Sequence, residues 1–204
     1  MKKTLILAAL ALALPMAVLA DSIEYTNSGG TLAASNAVGP AVLMLSGSEL
    51  TEIRGFPGSQ ITGNDLGSVS FTTGLLTSGS LANGGTFAAG GTFAITGNGM
   101  NGAPTGAIFT GTFTGPVSWT LNTQTDGTHT YTLSGTLSGT TASGFKTTGS
   151  TVQLTVNTGL GYFNGSVTLG SGDTNIVVPE PGSLGLLGTG LIGLAGIVRR
   201  KLKV

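Results

Sequence analysis

Thr128-His-Thr-Tyr-Thr-Leu-Ser-Gly-Thr-Leu-Ser138 alternates without a break. His129, Tyr131, Leu133, Gly135 and Leu137 fall on one face; Thr128, Thr130, Thr132, Ser134, Thr136 and Ser138 fall on the other. A period of two is the geometry of an extended strand, whose successive side chains point to opposite sides. One apolar and one hydroxyl face mean a strand buried on one side and wetted on the other. β-Branched threonine suits the exposed pleat.

The same rhythm spreads outward. Val117, Trp119 and Leu121 alternate with Ser118, Thr120 and Asn122; Val152, Leu154 and Val156 alternate with Thr151, Gln153 and Thr155. Phe163, Val167 and Leu169 alternate with Asn164, Ser166 and Thr168. Gly115-Pro116, Asp126-Gly127 and Ser171-Gly172-Asp173 read as the turns between them. Weaker strands are expected at Ala41–Leu45, Leu50–Arg54, Leu66–Thr73, Thr92–Thr96 and Ala107–Thr114, and residues 74–106 read as a long loop or a fraying sheet edge. Gly85-Thr-Phe-Ala recurs at Gly91 and, loosely, as Gly111-Thr-Phe-Thr, but the two spacings are unequal, which argues against a β-solenoid. The expectation is an all-β fold, an antiparallel β-sandwich or barrel of short Thr/Gly-rich strands, with an N-terminal signal helix and a C-terminal transmembrane helix outside it.

Residues 21–178 contain 30 Gly, 30 Thr and 17 Ser. Placed inside regular structure, so many glycines would cost roughly 15–30 kcal/mol at about 0.5–1 each. That exceeds the roughly 5–15 kcal/mol by which domains are stable. Most must therefore lie at turns, bulges and strand ends. Against disorder, all 12 aromatic residues sit in this region, in register with the strands.

Charge is unevenly placed. Six of eight Lys/Arg are at the chain ends, and residues 21–178 hold only Arg54 and Lys146 against seven acids. A basic nucleic-acid surface is excluded, since phosphate neutralisation needs clustered Lys/Arg. No cysteine means no disulfide, thiolate site or Cys nucleophile, and one histidine, His129, leaves no His-rich metal centre.

The first 20 residues read as a signal peptide: Lys2-Lys3, an apolar core from Leu5 to Leu14, a helix-breaking Pro15, then small residues up to a cleavage point between Ala20 and Asp21. At the other end, Val178-Pro-Glu-Pro-Gly182 leads into a 15-residue apolar run, Leu184–Val198, followed by Arg199-Arg-Lys-Leu-Lys-Val204. As a helix that run is about 22 Å long, short against a hydrocarbon core of about 30 Å. Five of the fifteen are glycine, which weakens the helix. Gly185, Thr189 and Gly193 form a stripe of small residues open to close approach by another helix. The basic ends place both termini on the cytoplasmic side and residues 21–178 outside. The expected division is 1–20 signal peptide, 21–177 exported β domain and 178–203 sorting signal.

The order Pro-Glu-Pro, short glycine-rich apolar helix, basic end resembles the PEP-CTERM sorting signal of Gram-negative bacteria, whose processing peptidase is an exosortase. The likeness covers about residues 178–203. It implies that Pro179, Glu180 and Pro181 form the recognition element, that Leu184–Val198 is a transient inner-membrane anchor, and that Arg199, Arg200 and Lys201 are the stop signal. Further implications are use of the general secretion machinery, an exosortase as partner, and release to the outer envelope or extracellular matrix. The Gram-positive Leu-Pro-x-Thr-Gly signal is absent.

Little in the middle region points to chemistry. A Ser-His-Asp reading of Asp126 and His129 needs Ser118 or Ser134 brought close, and no Gly-x-Ser-x-Gly occurs. Glu49 and Glu52, an odd separation apart, are expected on opposite faces of one strand and so not as a glycosidase pair. Asn64-Asp65 and Asp173-Thr174-Asn175 are hard oxygen donors in expected loops, the best calcium candidates, though Asp and Asn in such turns ordinarily serve backbone hydrogen bonds. Asn164-Gly-Ser166 matches a glycosylation pattern. Trp119, Tyr131 and Phe163 could stack on sugar, but their register places them in the core. The expected function is non-enzymatic, without cofactor or metal: an exported cell-surface or matrix protein. The alternatives are a polysaccharide- or calcium-binding adhesive module and, third, a secreted hydrolase with a cleft gathering acids around His129.

Overall fold

The computed structural model describes residues 22–35, 41–56 and 59–178. Both expected helices lie outside the described residues, and among the described residues no helix is long and apolar enough to cross a membrane. Ser22–Val178 is one compact unit.

Its strands are β1 (Ser22–Ser28), β2 (Thr31–Ala34), β3 (Leu43–Phe56), β4 (Ser59–Thr62), β5 (Gly67–Thr72), β6 (Leu76–Ser80) and β7 (Gly84–Phe87). They continue as β8 (Gly90–Asn98), β9 (Thr105–Phe113), β10 (Val117–Thr123), β11 (His129–Thr141), β12 (Lys146–Gly159), β13 (Ser166–Thr168) and β14 (Ser171–Val177). Every pairing is antiparallel. Eight strands run β12-β14-β1-β3-β5-β8-β9-β11, and β11 pairs back onto β12, so the sheet closes into a barrel. Closure abolishes the sheet edges that a sandwich would have to protect.

Alternation decides what fills it. Tyr131, Leu133 and Leu137 of β11 are buried inside, as are Val152, Leu154 and Val156 of β12. A barrel of eight strands has an interior that side chains just fill. Outside, the hydroxyl residues pair across strands: Ser68 with Thr96 at 2.8 Å and Thr72 with Thr92 at 3.0 Å. The polar surface and apolar filling are the reverse of a membrane-spanning barrel, whose outer band is apolar.

Side strands hang from the wall. The long β11 pairs with β9 through Leu137–Thr141 but with β10 through His129–Ser134, and from β10 the sheet continues through β7 to β6. β2 and β4 pair with β3, and β13 pairs with β2. The Gly-Thr-Phe repeats fall on β7, β8 and β9, each with its Phe (87, 93, 113) buried.

Several expectations are corrected. Residues 74–106 hold a hairpin (β6–β7), a wall strand (β8) and a short 3-10 turn at Met100–Gly102 rather than one loop. Low side-chain volume hides the strands there. The expected pair Ala41–Leu45 and Leu50–Arg54 is one 14-residue strand, β3. The register between β1 and β3 slips after Thr26: Thr26 faces Glu52, but Asn27 faces Leu50, leaving Thr51 as a bulge. Leu50 and Ile53 therefore both point inward, and Glu49 and Glu52 lie on the same outer side, not on opposite faces.

Ser171-Gly172-Asp173 is not a turn either; it begins β14. Gly172 faces inward, where a Cβ would come within 2.2 Å of Leu154 Cδ2 and 2.7 Å of Asn27 Oδ1. Close packing requires this glycine. Elsewhere, 17 described glycines have positive φ, which agrees with placement at turns, bulges and strand ends.

Candidate functional site

β14 is the strand that closes the barrel. It pairs with β1 from Ser22↔Val177 to Asn27↔Gly172, and with β12 from Thr151↔Asn175 to Thr155↔Ser171. Ile176 is buried, and the Val177 N–H donates to Ser150 Oγ at 3.2 Å. The first and last strands thus leave the barrel side by side at one pole. The sequence-predicted residues Ala20, Asp21, Pro179, Glu180, Pro181, Arg199, Arg200 and Lys201 lie outside the described residues.

On the outer wall, period-two alternation and antiparallel register assemble two polar rows. One runs Ser118–Ser134–Gln153–Asp173–Thr26 and the next Thr136–Thr151–Asn175–Glu24–Arg54. Strands are about 4.8 Å apart, so each row spans about 19 Å. Between them lies an open groove of about 570 Å³, lined by Glu24, Gln153, Asp173, Asn175 and the hydroxyls of β10–β12. Thr26 Oγ1 donates to Asp173 Oδ1 at 2.9 Å, and Asn175 Nδ2 donates to Ser22 Oγ at 3.4 Å. Arg54 bounds one end. Its Nε and Gln60 Nε2 both donate to Glu52 Oε1, and the hydrogen bond to Glu52 holds the guanidinium pKa above its ordinary value. Arg54 also lies 3.9 Å from Glu24, an exposed pair of small energetic weight. Hydroxyls, amides and carboxylates give the groove both donors and acceptors, with a net negative character.

This groove was not among the sequence-predicted sites. Its signal is the alternation Ser171, Asp173, Asn175 against Gly172, Thr174, Ile176, which shows once the stretch is read as strand. Asp173 and Asn175 therefore sit on a wall, not in the loop expected of them. Asp65 does lie in a turn, at φ 57, and its carbonyl accepts from Asn98 Nδ2 at 2.6 Å. Among the described residues, no group of three or more His, Cys, Asp or Glu could hold a metal ion.

His129 is inward-facing and 7 % exposed at the start of β11, stacked on Tyr162 at 4.3 Å, with Nδ1 3.1 Å from Thr123 Oγ1. Ser134 is an odd number of residues away and Ser118 is its cross-strand partner, so both hydroxyls are on the opposite face. Asp126 does not face the imidazole as an acceptor. Its Oδ1 takes the Thr128 N–H (2.9 Å) and Oγ1 (2.7 Å), and these bonds hold its pKa below the ordinary carboxylate value. The acids of the groove and the imidazole are thus not gathered in one cleft. Trp119, Tyr131 and Phe163 pack together inside, as their register implies.

No curated protein and no solved structure matches the chain. A family model does, over residues 177–201, from the last residue of β14 through the basic end. That match implies an exported, membrane-anchored precursor processed by an exosortase. The chain carries a PEP-CTERM protein-sorting motif, joined to the closing strand of a β-barrel.

Proposed function

We propose that this chain is a non-enzymatic exported protein of the cell surface or extracellular matrix, released from its membrane-held precursor by an exosortase. The chemistry belongs to the peptidase, and this chain is its substrate. The observation that carries the reading is the motif at 177–201, beginning where the barrel ends. Among the described residues the first and last strands are zipped together, which supports a barrel able to outlast removal of both flanking segments. The absence of cysteine is consistent with this, since closure does the work that staples do in smaller secreted domains.

The test is to export the full chain, and a variant with Pro179→Ala, Glu180→Ala and Pro181→Ala, in a Gram-negative host bearing an exosortase. The wild type should lose Arg199–Val204 by mass spectrometry and leave the inner membrane. The variant should accumulate there uncut. Equal processing and equal destination for both would overturn the reading.

A second reading, polysaccharide binding, is favoured by the groove. Its mixed hydroxyls, amides and carboxylates suit a neutral or amine-bearing glycan and repel an anionic one. On that reading Gln153→Ala with Asp173→Ala lowers retention on matrix polysaccharide several-fold, and unchanged retention sinks it.

A further inference from the structure

We infer that the barrel itself touches lipid: in the membrane-held precursor, Phe145, Met100 and Lys146 form a small footprint on the phospholipid surface, at the pole where the chain leaves for its anchor. The inference rests on the membrane-anchored precursor and adds a contact that the sorting motif does not supply.

Register brings the three residues to that pole. β14 ends at Val177, whose N–H is bound by Ser150 near the start of β12. The turn from β11 into β12 lies at the same end and carries Phe145, with Lys146 opening β12. β9 pairs with β11 from Leu137↔Phe113 to Thr141↔Phe109, so β9 begins there too, beside the β8–β9 turn that holds Met100. Phe145 is 49 % exposed and Met100 52 %, and Lys146 is exposed next to Phe145. Single exposed apolar side chains are ordinary on a protein surface. These two are held out on closed turns. The Thr141 N–H donates to the Phe145 carbonyl at 3.0 Å, and the Gly144 N–H to the Thr141 carbonyl at 2.9 Å. The Met100 N–H donates to Asn98 Oδ1 at 3.0 Å, and the Ala103 N–H to the Met100 carbonyl at 2.8 Å. Little backbone ordering remains to oppose a contact.

Reach selects this pole. The chain leaves at Val178 and the apolar run starts at Leu184, six residues on. Fully extended, six residues span at most about 20–22 Å. From the level of Ser150 the hairpin runs on four residues to Lys146, about 13 Å at about 3.3 Å each. Even with the tether taut, the turn comes within about 10 Å of the hydrocarbon. That is comparable with a headgroup layer, roughly 5–8 Å on each side of the bilayer. So short a tether holds the footprint near lipid at an effective concentration of order millimolar, and a weak contact is populated. Phe145 and Met100 bury apolar area at the interface while the Lys146 ammonium stays among the headgroups. The opposite pole exposes Leu160 and Tyr162. It lies at the far end of the 14-residue β12, about 45 Å along the strand and beyond the tether.

The chain has no cysteine, so a single one can carry a reporter. The full chain with Ser143→Cys, in the β11–β12 turn, or with Thr125→Cys, in the β10–β11 turn at the opposite pole, is labelled with an environment-sensitive fluorophore. Each is reconstituted in vesicles of phosphatidylethanolamine and phosphatidylglycerol that contain a nitroxide-bearing lipid. Quenching at 143 should exceed that at 125 by about threefold or more, and adding Phe145→Ser with Met100→Ser should remove most of the excess. Emission from Trp119, the chain's one tryptophan and a buried one, reports that the barrel is intact in each variant. Equal quenching at the two positions overturns the proposal, as does quenching at 143 that survives the double substitution in an intact barrel. A chain that alkaline carbonate strips from the vesicles overturns the anchored precursor and this contact together, whereas retention without quenching at 143 overturns the contact alone.

Discussion

Phe71, Phe93, Phe109 and Phe113 meet ring to ring inside the wall of β5, β8 and β9, while Trp119, Tyr131 and Phe163 meet where a side sheet and two irregular segments cover the barrel. The first group is hydrocarbon only: Phe93 lies 6.1 Å from Phe71, stacked, and 6.2 Å edge-on from both Phe109 and Phe113. Room for Phe109 comes from Gly139 across the ladder, where a Cβ would sit 2.6 Å from the Phe109 ring. The second group carries polar edges. Trp119 Nε1 donates to the Leu81 carbonyl at 2.8 Å; Tyr131 OH donates to the Ala82 carbonyl at 2.5 Å and accepts the Phe163 N–H at 3.0 Å. Both clusters bury large areas. Only the second can answer the backbone groups of coil, which have no ladder to satisfy them. Regular wall takes phenylalanine; covered coil takes tryptophan and tyrosine.

The comparison predicts its largest effect at the centre of the first cluster. Phe93→Ala removes three ring contacts at a site 1 % exposed. It should cost about 3–5 kcal/mol in urea unfolding, as one cooperative transition, because the wall has no separable part. A loss below about 1 kcal/mol would mean that the remaining rings close over the gap, and that the cluster is not what holds β5, β8 and β9 together.

Tyr25 sharpens the contrast, because the wall buries this phenol as it buries phenylalanine. It is 3 % exposed on β1, and burial pushes its pKa from 10.0 up to about 12. The folded barrel thus holds the neutral form, and the folded-state value lies above the unfolded one. Its contribution is complete below pH 10 and is lost as pH rises from 10 through about 12. A rise from 10.0 to about 12 corresponds to about 2–3 kcal/mol. Unfolding free energy measured between pH 9 and 12 should fall by that order, and Tyr25→Phe should flatten the fall. An unchanged alkaline slope in Tyr25→Phe would show that the loss comes from elsewhere.

What was legible in the sequence is what depends on near neighbours. The run 128–138 announces its strand because each side chain is sorted against the next, and the Pro-Glu-Pro, apolar, basic order is likewise local. Gly172 misleads, since a glycine beside Ser and Asp looks like a turn; its reason is Leu154, nearly twenty residues away and on another strand. The bulge at Thr51 leaves no local mark and reverses the facing of Glu49 relative to Glu52. The groove is the extreme case. Glu24, Thr151 and Asn175 become neighbours only through the registers of three strands, so the alternation in β14 could disclose a polar face but not what stands beside it.

The smallest of the expected global effects is the most specific. Tyr131→Phe keeps the stack on Trp119 at 4.8 Å and removes one oxygen. That oxygen serves two backbone groups, the Ala82 carbonyl and the buried Phe163 N–H. A buried donor left without an acceptor costs about 1–3 kcal/mol, more than the net worth of the bond itself. The coil near Phe163 can relax toward water, so about 1–2 kcal/mol is expected in global unfolding. The local signature is sharper. Amide hydrogen exchange should quicken at Phe163 and its neighbours, while the amides of β8 around Phe93 keep their protection, because only the former owe a hydrogen bond to the phenol. Equal quickening at both clusters would show that the phenol stabilises the barrel as a whole, and the division between wall packing and coil anchoring would have to be withdrawn.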